Sequence, residues 1–283
     1  MKIAGISYDL EEAPQSLELW FDRMDQIILS ALENHDIVVL PELMHMSLSK
    51  YCVETDLKSQ IKFCADVLWK KYIPELLPKL PHKEHFLVLG SGPFQLSEGV
   101  FTNRAPIIVN GKLNGFDKIY LTPWEGCFVR GTTVSLYQFK GLKIAPLICF
   151  DIEQPYISTL LKHERVDLLL VPSATSSRNG SQRILRTASG RSIELGCAVF
   201  VVPVIGTIDY NELVDKNEGR QGLFLPAQQC ISHEQEQYSE YRTRVTDVCS
   251  FDLEVAEIKN VKENNGETKP FFTIDVPLNL EKL

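Results

Sequence analysis

Short, wholly apolar runs alternate along this chain with longer stretches in which apolar residues recur every three or four positions. These are the two periods that mark buried strands and amphipathic helices. The opening, Met1-Lys2-Ile3-Ala4-Gly5-Ile6-Ser7-Tyr8-Asp9, reads as a strand. Leu17, Trp20, Phe21, Met24, Ile27, Ile28 and Ala31 then fall at helical spacing, and Ile37-Val38-Val39-Leu40-Pro41 follows as a second strand, giving a β-α-β start. A mostly helical stretch is predicted over 54–80, then a strand at Phe86-Leu87-Val88-Leu89-Gly90. Two further runs, 105–109 and 112–119, flank Asn110-Gly111, the dipeptide whose tolerance of positive φ makes it the strongest short hairpin signal.

The second half repeats the alternation. Residues 142–148 predict a strand, with Cys149 at the turn before a helix over 153–161, and 167–171 predict the next strand. A partly amphipathic helix is predicted over 183–197, followed by 199–204 as a fully apolar, central strand. Residues 222–224 and 246–255 read as later strands, and 256–283 as a tail with a polar loop at 262–267. No Pro/Gly/Ser-rich linker divides the chain. The economical expectation is one α/β domain over 1–283, with two sheets covered by helices.

Composition narrows the classes of function. With 44% hydrophobic and 23% charged residues, the 283-residue chain can bury a sizeable core. Its formal net charge of -8 and pI near 5.4 argue against binding a phosphate backbone, which calls for clustered Lys and Arg, so no nucleic-acid partner is expected. The start turns acidic at Glu11 and Glu12 before any long apolar segment, unlike a secretory signal. The longest apolar run, 197–206, falls short of the roughly 18 residues a membrane span needs. Seven cysteines with no C-x-x-C pair fit neither a disulfide framework nor a zinc ribbon, and the expected location is a reducing cytoplasm. The six histidines show no ligand spacing, so neither metal nor cofactor is called for.

Three strand ends carry reactive groups in order: Glu42, Lys118 and Cys149. Taken singly, Glu42 reads as an acid after a turn, Lys118 as a solvated strand residue, and Cys149 as a small buried hydrophobe. Together they can open an amide or nitrile. Cys149 would be the nucleophile, its thiolate favoured by a helix N-terminus and an ammonium. The N–H of Phe150 and the Lys118 ammonium would receive the developing anion, and Glu42 would shuttle the proton. Glu125, close behind Lys118, could position Lys118, Glu42 or a water. Trp124 would wall the pocket.

Val39-Leu40-Pro41-Glu42-Leu43, Asp117-Lys118-Ile119-Tyr120-Leu121-Thr122-Pro123-Trp124-Glu125 and Leu147-Ile148-Cys149-Phe150-Asp151-Ile152-Glu153-Gln154-Pro155 resemble the nitrilase (carbon-nitrogen hydrolase) superfamily. Phe128-Val129-Arg130-Gly131, Val171-Pro172-Ser173-Ala174 and Arg191-Ser192-Ile193-Glu194-Leu195 extend the resemblance over nearly the whole chain. It implies an α/β fold, a four-layer αββα sandwich of two mixed sheets packed face to face, and a covalent acyl-enzyme. Glu42 becomes the base, Lys118 the oxyanion stabiliser, Cys149 the nucleophile, Glu125 a supporting acid, and Ala174 part of the substrate pocket. A homodimer or higher homo-oligomer acting on a small amide or carbamoyl compound is implied. Nitrile hydrolysis, acyl transfer to an amine and a catalytically silent binding role are the alternatives. Glu153, an acid close to the nucleophile, suggests a cationic substrate, and Gln221 and Gln228, where Ser and Gly are usual, are expected at the pocket rim or a hairpin.

Overall fold

A computed structural model of the chain describes residues 1–265 and 267. The first part runs β1 (Lys2–Ser7), α1 (Leu17–Asn34), β2 (Ile37–Leu40), α2 (Leu57–Val67), α3 (Ile73–Leu76), β3 (Phe86–Leu89), β4 (Gly92–Ser97), β5 (Val100–Val109) and β6 (Lys112–Asp117). The second continues with β7 (Tyr137–Phe139), β8 (Leu142–Pro146), α4 (Pro155–Glu164), β9 (Leu168–Ser173), α5 (Arg178–Leu195) and β10 (Ala198–Pro203). After it come β11 (Gly206–Thr207), β12 (Lys216–Asn217), β13 (Gly222–Phe224), β14 (Glu236–Tyr238), β15 (Asp247–Asp252) and α6 (Val255–Asn260).

Two mixed sheets result. One has the order β15-β1-β2-β3-β5-β4, with β6 paired to β5; the other has the order β14-β13-β10-β9-β8-β7. The hairpin at Asn110-Gly111 joins β5 to β6, with both turn residues at positive φ. Strand β15 pairs antiparallel with β1, so the end of the chain completes the sheet its start began.

Alternation along the strands sorts the side chains between layers. In β1 and β2, Ala4, Ile6, Val38 and Leu40 pack with Trp20, Met24, Ile28 and Leu32 of α1. Ile3, Ile37 and Val39 belong to the core shared with the second sheet. Each of those four α1 side chains is fully buried and contributes roughly 1.5–3 kcal/mol by leaving water. The Ser16 hydroxyl caps α1 by accepting from the Leu19 N–H at 3.3 Å. On the second sheet, β9 and β10 are buried throughout, and α5 lays Ile184, Leu185 and Ala188 into the same core.

Four local differences from the sequence expectations have physical causes. Helix α5 starts at Arg178 rather than 183 because the Ser177 side chain accepts from the Gly180 N–H at 3.2 Å, and it stops at Gly196, φ +57°. Cys149 opens a single 3₁₀ turn, Cys149–Glu153, and α4 begins only at Pro155, which suits a first helical position. The stretch read as a tail begins with α6 and a further helical turn to Asn265, with Ile258 and Val261 in the core and Lys259 and Lys262 paired to Asp167 at 2.8 and 2.5 Å. The rest of that expectation lies outside the described residues, Glu267 excepted. Gln221 is not at a pocket rim: it is buried between the sheets, where its Nε2 donates to Gly5 O at 3.0 Å and Ser7 Oγ at 3.1 Å. A Cβ at position 5 would stand 2.1 Å from Gln221 Oε1, which restricts that position to glycine. Among the described residues no helix is long and apolar enough to cross a membrane.

Candidate active site

Glu42, Lys118 and Cys149 each leave the fold just past the end of a strand. Strand β2 ends at Leu40, and Pro41 and Glu42 follow; the Pro41 carbonyl accepts from Ser91 N at 3.1 Å and the Leu43 N–H donates to Ser91 Oγ at 3.2 Å. Leu43 itself sits at φ +54°. Lys118 follows β6, its backbone N–H held by the Asn103 carbonyl of β5 at 2.9 Å. Glu125 closes the 3₁₀ turn Pro123–Glu125, where Thr122 donates to its Oε2 from N at 2.9 Å and from Oγ1 at 2.7 Å. Cys149 follows β8 at φ +48°, a left-handed conformation that costs a non-glycine residue about 1–3 kcal/mol unless its surroundings hold it.

These turns converge. The Lys118 Nζ donates to Glu42 Oε1 at 2.7 Å and to Glu125 Oε2 at 2.6 Å, with all three side chains almost wholly buried. Asn103 spans the same two acids, its Nδ2 donating to Glu42 Oε1 at 3.0 Å and Glu125 Oε1 at 3.1 Å. Ala174, just past β9, donates its N–H to Glu42 Oε2 at 2.8 Å, while its carbonyl accepts from Cys149 Sγ at 3.5 Å. Base and thiol therefore meet on one peptide segment.

Burial pushes the Glu42 carboxyl above the ordinary carboxylate range despite the Lys118 ammonium, and the Glu125 charge adds to the rise. Burial would raise Glu125 too, but Lys118 and the Thr122 hydrogen bonds bring it below that range. For Lys118, burial disfavours the ammonium, yet Glu42, Cys149 and Glu125 outweigh it and hold the pKa above the usual lysine value. The Cys149 thiol is pushed well above its ordinary value, first by burial and then by Glu42, with Lys118 too weak to reverse this. Burial and the Glu42 carboxylate thus oppose the thiolate that the turn and the Lys118 ammonium favour. The two acids are pushed apart, Glu42 upward and Glu125 downward.

A pocket of about 250 Å³ opens onto Glu42, Lys118 and Glu125, with Trp124 and Ala174 in its wall. Trp124 is 57% exposed, so its ring faces open space at the pocket rather than the core. Phe150, half-buried, is the second residue of the 3₁₀ turn, where backbone N–H groups lack partners within the turn. Glu153 does not line this pocket: both its oxygens accept from Arg183 Nε, at 2.9 and 2.8 Å. The acids at the wall are Glu212 and Asp215, beside Lys216, on the loop between β11 and β12.

No family model matches the chain. Its structure superimposes on that of Saccharomyces cerevisiae Nit3, a member of branch 10 of the nitrilase superfamily, with a TM-score of 0.67 over 93% of each chain at 17% identity. This is the fold of the nitrilase superfamily. A C-to-A variant of the Nesterenkonia AN1 amidase from the same superfamily matches the nitrilase fold of this chain with a TM-score of 0.66 at 17% identity, covering 92% of this chain and 93% of that one. A second variant of that amidase, carrying the acetamide moiety of fluoroacetamide covalently added at its active site cysteine, gives a TM-score of 0.63 at 18% identity over 91% and 92% of the two chains. In sequence, the Bacillus subtilis protein "Probable hydrolase YhcX" is 23% identical over 225 residues, which span 78% of this chain and 42% of that relative's length.

Sequence reasoning missed Asn103 and the loop between β11 and β12. Asn103 is a fully buried polar residue inside a strand, and such a group needs a partner. The loop carries no motif and reaches the pocket only through the fold.

Proposed function

We propose that the chain is a cofactor-free hydrolase of a non-peptide C–N bond in a small amide or carbamoyl compound, acting through a Cys149 acyl-enzyme. The observation that carries this reading is the buried Lys118 ammonium, hydrogen-bonded to Glu42 and Glu125 on the floor of an open pocket next to a strained cysteine. As Cys149 Sγ bonds to the substrate carbonyl carbon, its proton passes to Glu42. The carbonyl oxygen gains the negative charge beside Lys118 Nζ and the Phe150 N–H, donors fixed before reaction begins. Glu42 returns the proton to the departing nitrogen as the C–N bond breaks, leaving a thioester. Water then attacks the thioester carbon, giving its proton to Glu42, and collapse restores the thiol and frees the acid.

Two points support this assignment of roles. A base of raised pKa works best near neutral pH, and Glu42 is raised. Glu125, held low by Lys118 and Thr122, stays ionised and keeps the ammonium in place through the cycle. The superimposed amidase with acetamide added at its active site cysteine is an example of such an adduct on this fold. The test is ammonia release from a panel of small amides, carbamoyl compounds and nitriles, with mass spectrometry of the protein. We expect turnover and an acyl mass on Cys149, both lost in Cys149→Ala. Hydrolysis that survives Cys149→Ala, or no adduct with any compound, would sink the proposal.

A further inference from the structure

Lys118 and Cys149 belong to different sheets, so something must fix the distance between them. Lys118 follows β6 in the first sheet and Cys149 follows β8 in the second. One fully buried side chain touches the backbone at both places. The Asp151 carboxylate accepts from the N–H of Ile119 at 3.1 Å and of Tyr120 at 2.8 Å, the two residues after Lys118. It also accepts from the N–H of Ile148 at 3.2 Å, the residue before Cys149. The Asp151 N–H returns a bond to the Ile148 carbonyl at 3.0 Å, closing the turn that holds Cys149 at φ +48°.

We infer that Asp151 is a positioning residue, a carboxylate brace that sets the Lys118 loop against the Cys149 turn and so holds the oxyanion donors over the nucleophile. The inference rests on the hydrolase reading above. Three backbone N–H groups converge on the two oxygens of this carboxyl, opposing the burial that lifts its pKa to about 7, and two acceptor oxygens meet that demand where an amide offers only one. In Asp151→Asn one acceptor oxygen becomes an NH₂ facing N–H groups, so one of the two loops must move away. Ground-state binding in the pocket does not depend on that separation, whereas charge stabilisation in the transition state does.

The experiment compares Asp151→Asn with the parent, using the best amide from the panel and referring rates to Cys149 thiols titrated by acyl or alkyl mass, so that unfolded protein is not counted. Circular dichroism checks the fold. We expect kcat per titrated site to fall roughly 10²-fold, the scale of a misplacement of about 1 Å, with KM within about threefold of the parent. Asp151→Glu, whose extra methylene must also spread the loops, is expected to show the same split and serves if the asparagine variant does not fold. A parental kcat per site in either variant overturns the assignment. Equal rises in KM with kcat held, or loss of the fold in both variants, also overturn it, because they give Asp151 a binding or purely structural role. A parent protein with no adduct on Cys149 overturns the hydrolase reading and this inference with it.

Discussion

Replacing Lys118 by methionine removes the one cation that separates two buried carboxylates and leaves the volume nearly unchanged. Glu42 and Glu125 then share only the Asn103 amide as a side-chain donor between them. Removing one partner of a buried ion pair costs about 3–5 kcal/mol, and at about 2 °C per kcal/mol for a chain of this size the melting temperature should drop by roughly 6–10 °C at pH 8. The sign of the pH dependence follows from the same geometry. In the parent, Lys118 holds Glu125 below its ordinary range. Without the ammonium, both acids have folded pKa values above their unfolded ones, so the folded variant binds more protons than the unfolded chain and loses stability as pH rises. The deficit relative to the parent should therefore shrink on going from pH 8 to pH 5, by about 1.4 kcal/mol per pH unit while one proton is taken up. Urea unfolding of parent and Lys118→Met at four pH values between 5 and 8 measures it. A deficit that is constant across this range, or that grows toward pH 5, would refute the drawn charge arrangement.

Two other perturbations probe the surroundings. Gly90 sits at φ +69°, and a Cβ there would lie 2.6 Å from the Pro41 carbonyl, so Gly90→Ala should displace the turn bearing Glu42, lower stability by more than about 1 kcal/mol and cut kcat about tenfold or more; parental kinetics and melting would contradict the role given to that turn. Glu153→Ala breaks a partly exposed pair with Arg183 away from the pocket and should cost under about 1 kcal/mol while leaving the ratio of kcat/KM for cationic and neutral amides unchanged; a shift toward neutral amides would return Glu153 to substrate selection.

The convergence of Glu42, Lys118 and Cys149 was legible because each follows a run with a clear strand pattern. Asp151 and Asn103 were less so. Asp151 stood in a quoted motif without a role, since its partners are backbone N–H groups at 119, 120 and 148, and sequence does not reveal which N–H groups a strand end leaves free. Asn103 lies inside β5 between Thr102 and Arg104, where its partners are set by chain neighbours 22 and 61 positions away. For the thiol, the local cues, a turn and a nearby ammonium, favour the anion, while burial and Glu42 are tertiary effects that oppose it and leave no mark in the sequence. The tail was misread because its contacts are tertiary too: Lys262 looks like part of a polar loop until its ammonium is seen to reach the Asp167 carboxylate from a chain distance of nearly a hundred residues.

Ala174 meets Glu42 through its N–H and Cys149 through its carbonyl, and the same residue lines the pocket. The two tasks at that position are therefore separable. In the mechanism proposed above, main-chain atoms carry the contacts of the proton path at this position, so a different side chain leaves those donors and acceptors in place. On that reading, position 174 is where the pocket wall can vary while the proposed chemistry is kept.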